Sequence, residues 1–137
     1  MTRIFGAPVV LAGALIFSGC GETGMPSPEL DPDVVAARAR VGPVPEELKR
    51  GEAGYMRDCA RCHGEDGLGN LSGPPLLHAV YAPMQHSDAA FLMSVRAGTK
   101  AHHFNFGDME RMPAVTAEMV GEITTYIRWL QREVGVF

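Results

Sequence analysis

The pentapeptide Cys59-Ala60-Arg61-Cys62-His63 constrains this chain more than any other feature. Two thiols separated by two residues on a helical turn lie close enough to add to the two vinyl groups on neighbouring pyrroles of a haem. The next residue is then carried under the porphyrin, where its imidazole can bind iron. Cys-x-x-Cys-His is the attachment pattern of c-type haem. The expectation is one haem c, covalently joined through Cys59 and Cys62, with His63 as an iron ligand. A Cys-x-x-Cys also serves as a dithiol redox pair or as half of a zinc site. A zinc site needs a second pair of ligands, for which His102 and His103 are the candidates, and adjacent histidines point apart on most backbones. A thioredoxin-like site needs a βαβ pattern, which the sequence does not show.

The chain has 137 residues, which suits one domain with a leader. Residues 1–19 read as an export signal: Arg3 is a minimal basic start, and the apolar run from Ile4 to Phe17 is shorter than the ~20 residues a spanning helix needs. Phe17-Ser18-Gly19-Cys20 resembles the lipobox of bacterial lipoproteins, with Phe17 where leucine is usual. That resemblance implies cleavage before Cys20, a lipid anchor at Cys20 and a place on the periplasmic side of a membrane. An ordinary cleaved signal or an uncleaved anchor, with Cys20 incidental, is the alternative. Residues 20–44 read as a Pro-rich tether, interrupted by a short helix over 32–41 that Asp31 caps and Gly42 stops. The formal net charge of −4 argues against a nucleic-acid binder or a polybasic membrane-surface protein.

The domain spans 45–137. Pro45-Glu46-Glu47 predicts a helix start, because proline presets φ where no donor is needed and the acids meet the positive end of the helix dipole. The helix is expected to reach about Arg61, with Leu48, Tyr55 and Cys59 on one face. Gly51 and Gly54 each cost ~1 kcal/mol in a helix against alanine, so something must pack close to the backbone there. Gly64, Gly67 and Gly69 end the helix and turn the chain. Ser87 or Asp88 caps a helix through Arg96 with Phe91, Leu92 and Val95 as its apolar face. Thr116 caps a closing helix from Ala117 to about Glu133, whose stripe is Met119, Ile123, Tyr126, Ile127 and Leu130.

With these residues in place, 45–137 resembles a class I c-type cytochrome domain. The resemblance rests on the pentapeptide, on Gly51 and Tyr55 eight and four residues before Cys59, on Gly73-Pro74-Pro75-Leu76, on Met112-Pro113 shortly before the last helix, and on Ile123 and Tyr126 within it. It implies an all-α fold of three or more helices around one haem. It implies that the Pro74 carbonyl orients His63 through Nδ1, and that Leu76 packs on the haem face. A plain proline turn is the other reading of that segment. Met112 is expected as the sixth iron ligand, since Pro113 holds the preceding residue extended on a stiff loop. Met84, His86, His102, His103 and Met109 are the other candidates. A histidine there gives a lower-potential haem, and an open position suits a sensor or haem enzyme. The implied function is single-electron transfer between membrane or periplasmic redox proteins, respiratory complexes among them, without substrate chemistry. A haem subunit of an oxidoreductase complex is the alternative. Arg96, Lys100 and Arg111 against Asp108 and Glu110 make only a slight basic excess, too small to name a partner.

Overall fold

A computed structural model describes residues 28–137. The leader, the lipobox-like segment and Cys20 lie outside the described residues. Among the described residues five α-helices form the scaffold: α1 (Pro32–Arg38), α2 (Lys49–Asp58), α3 (Ala60–His63), α4 (Asp88–Ala97) and α5 (Ala117–Glu133). No strand occurs among the described residues. Two isolated antiparallel bridges, Asn70 with Gly73 and Thr99 with Met109, pin two loops. The fold is all-α, as expected.

The core forms where α2 crosses α5. Tyr55, Tyr126, Ile127 and Leu130 are buried there together with Leu77 from the loop after α3. The Tyr55 and Tyr126 rings stand 5.7 Å apart at 51°. A β-carbon on Gly51 would clash with the carbonyl oxygen of Glu122, and one on Gly54 would sit 2.6 Å from Met119 Sδ. The two glycines therefore give up helix propensity to let the backbones approach. The α5 stripe buries Val120, Ile123, Tyr126, Ile127 and Leu130, while Met119 is half-buried.

Three expectations change. The stretch 20–44 is not all tether: from Asp31 onward it packs on the domain. Val34 joins the core, Val41 and Val44 lie against it, and Arg38 Nε donates to the Asp66 carbonyl at 2.9 Å. The helix α1 has its Asp31 cap, accepting from Asp33 N at 2.8 Å, but stops at Arg38 instead of 41. Arg40 and Val41 donate three residues back, to Ala37 and Arg38, and this tighter turn brings Val41 onto the core. The helix expected to run unbroken from Pro45 begins instead with a 3₁₀ turn over Glu46–Leu48 and is interrupted at Cys59, whose φ of −114° separates α2 from α3. Ser87 occupies the N-cap of α4 without a side-chain bond; Asp88 is used elsewhere, as described below.

Candidate cofactor site

The break at Cys59 sets the site. Cys59 N–H still donates to Tyr55 O at 2.8 Å and His63 N–H to Cys59 O at 3.0 Å, so both cysteines and His63 ride on one nearly continuous turn. Gly64 then takes φ +79°, a conformation open to glycine and costly for other residues, and the chain leaves the helix. The Tyr55 hydroxyl locks this exit by donating to Gly64 O at 2.6 Å. Burial pushes the Tyr55 phenol well above the ordinary tyrosine range, so it stays a donor.

Cys59, Cys62 and His63 open onto one cavity of about 480 Å³. That volume lies within the ~300–1,000 Å³ typical of ligand sites. The cavity is also lined by Pro74 and Leu76 from the loop after α3, by Phe91 and Val95 of α4, and by Ile123 and Ile127 of α5. These apolar side chains explain why α4 has no fully buried residue: part of its apolar face looks into the cavity. Both thiols are free of disulfide bonds. Burial, and then the charge of Asp58, raises the Cys59 thiol to about 11, which keeps it protonated at neutral pH.

His63 Nδ1 lies 2.9 Å from Pro74 O. A carbonyl only accepts, so the proton sits on Nδ1 and the Nε2 lone pair is left for a metal. Burial holds the imidazole below its ordinary value, against the opposing effect of the Pro74 carbonyl. The structure thus brings Cys59, Cys62, His63, Pro74, Leu76 and Met112 to one cavity. Met112 is half-buried, and its N–H donates to Val95 O at 2.7 Å, which fastens its loop to α4. Met109, His86, His102 and His103 line the same cavity, whereas Met84 does not and is 94% exposed.

Two features escaped the sequence analysis. Arg128 of α5 is nearly buried; its guanidinium donates to Asp88 Oδ1 at 2.8 Å, Tyr81 O at 2.6 Å, Gln131 Oε1 at 2.7 Å and His86 O. Gln131 Nε2 donates to Leu76 O at 2.7 Å. Together they hold the loop from Leu76 to His86 against α5. The available signal was Thr124, Arg128 and Gln131, a polar row at helical spacing beside the apolar stripe. The second feature is that His102 and His103 do not point apart. They lie in an irregular bend, their ring centroids are 4.2 Å apart, and both stand beside His86. Desolvation, then the neighbouring His102, His86 and His78, hold His103 below the ordinary histidine value. Nothing in the spacing from 86 to 102 signals that approach.

The cytochrome c family model matches residues 48–131, which include α2 through most of α5. No curated protein and no solved structure matches the chain.

Proposed function

The chain belongs to the cytochrome c family, and on that footing we propose that it carries single electrons through one haem c, which Cys59 and Cys62 would attach and whose iron His63 and Met112 would hold. Family membership implies covalent haem c. The residues present fit that group: two free thiols, an imidazole with its Nε2 unprotonated, and an apolar lining meet at one cavity. When bound, the haem supplies the one-electron Fe(III)/Fe(II) couple.

The observation that carries this reading is the His63–Pro74 hydrogen bond in the same cavity as both thiols. The carbonyl fixes both the tautomer and the ring orientation, a service that metal-binding histidines commonly receive from their surroundings. The Met112 thioether is a soft donor that favours ferrous iron and a higher potential than a second imidazole would. Leu76, Phe91 and Ile127 give the cavity part of its apolar wall. Two protein ligands held by packed elements leave little to rearrange when the charge changes.

The proposed setting is the periplasmic side of a membrane, with Cys20 as a lipid anchor and redox proteins or respiratory complexes as partners. The lipobox-like Phe17-Ser18-Gly19-Cys20 supports it. Anchoring raises the effective concentration near membrane partners. No helix among the described residues is long and apolar enough to cross a membrane.

Absorption spectroscopy of protein made with a cytochrome c maturation system tests the ligand set. The pigment should stay with the protein in acidic organic solvent, and a thioether-to-iron charge-transfer band should be present and lost in Met112→Ala. Pigment that extracts, or a band unaffected by the substitution, refutes the assignment.

A further inference from the structure

We propose that His86, His102 and His103, which line the same cavity as Cys59, Cys62 and His63 but use none of those three as ligands, form a binding site for one divalent cation of the zinc type. Among the described residues this is the trio of potential ligands whose donor atoms converge, all within 4.8 Å of one another. His86 is fixed by its Nδ1, 2.6 Å from Val80 O, and His102 by its Nδ1, 2.7 Å from Lys100 O. Since a carbonyl only accepts, both rings carry their proton on Nδ1 and present a bare Nε2. Two imidazoles independently oriented by backbone carbonyls have the outer-shell arrangement of metal-ligating histidines.

The third ring completes the set. His103 Nε2 stands 3.3 Å from His86 Nε2. Nitrogens each about 2.0–2.1 Å from a tetrahedral ion are themselves about 3.3–3.4 Å apart, so this pair needs little movement. The donor chemistry selects the ion: imidazole suits zinc, copper and nickel, whereas calcium and magnesium want oxygen. Three histidines with a fourth position left to water is a known zinc arrangement.

The site joins two segments that α4 separates. His86 precedes α4, and the other two lie in the loop after it. That loop is already closed, by the paired bonds of Thr99 and Met109 at 2.9 Å each, and by Ala101 N–H donating to Asp108 Oδ1 at 3.0 Å. A bound cation therefore ties together loops with little conformational freedom left to lose. His102 is exposed and the other two are half-buried, which leaves an entry path.

The test is a titration of haem-loaded, untagged protein with zinc(II) alone, in competition with a chromogenic chelator. One equivalent should bind. His102→Gln and His103→Gln should each weaken it by at least about tenfold, since even an outer-shell partner is worth about 10–100-fold in affinity. The imidazole nitrogen resonances of all three histidines should shift on zinc addition, while the haem absorption bands hold still. Absence of stoichiometric zinc binding overturns the proposal, as does affinity unmoved by both substitutions. Loss of the six-coordinate haem spectrum in either variant also overturns it, because that imidazole then belongs to the iron. Colourless protein that still binds one zinc through these histidines would refute the haem reading and leave this site standing.

Discussion

Gly51 of α2 lies against the carbonyl of Glu122 in α5, with no room between them for a single β-carbon. This contact sets how closely the two helices cross, and so where α2 delivers Cys59 and His63.

Gly51→Ala tests it. Helix propensity alone would favour alanine by ~1 kcal/mol. The clash is with backbone, which cannot swing aside, and overpacking of this kind costs about 1–3 kcal/mol and occasionally more. The variant should be less stable than the parent in urea denaturation of the haem-loaded protein. Equal or greater stability would mean that the helices cross farther apart.

Arg128→Met should cost more than Asp88→Asn, although the two residues share an ion pair. The Arg128 side chain is 7% exposed and that of Asp88 72%. Removing the guanidinium strips the His86 carbonyl of its side-chain donor, a loss of about 1–3 kcal/mol. Neutralising the exposed carboxylate should cost under ~1 kcal/mol. Denaturation midpoints of the two variants decide the order, and amide exchange across 81–86 should quicken only in Arg128→Met.

None of the three tyrosines should ionise at its ordinary pH of about 10 while the fold persists. Burial raises Tyr55 and Tyr126 and takes Tyr81 to about 12. The sign follows from linkage: the unfolded chain loses these protons above about pH 10 and the folded chain keeps them, so their contribution to stability is complete below about pH 10 and falls as pH rises beyond it. A difference titration of tyrosinate absorbance checks this. A full tyrosine titrating near pH 10 with helix content intact would contradict it.

Withholding haem should largely unfold the domain. The apolar walls given by Leu76, Phe91, Val95, Ile123 and Ile127 would then face a water-filled cavity of about 480 Å³ instead of the haem, and the margin that holds a whole domain together is only ~5–15 kcal/mol. Circular dichroism of haem-free protein showing native helix content would refute this.

Much of the scaffold was readable because its determinants are close in sequence. The Thr116 cap, accepting from Met119 N–H at 3.2 Å, and the α5 stripe are relations of three and four residues. The spacing of Cys59, Cys62 and His63 is more local still. Gly51 and Gly54 announced a close contact, because two poor helix formers inside a helix need a compensating one. Periodicity did not reveal the break at Cys59, the early end of α1 or the packing of Val41 and Val44, since each depends on what the core needs to cover.

The chain's own order of residues was enough to name the chemistry: covalent attachment needs two thiols and an imidazole on one turn, and a turn is local. The family resemblance placed Pro74, Leu76 and Met112 beside that chemistry, whereas the arginine and histidine contacts around it were settled by folding alone. Arg128 reaches His86 across 42 positions, and His86 meets His103 across 17. Such contacts depend on where α4 and α5 pack, and packing is a property of surfaces that a linear pattern does not contain.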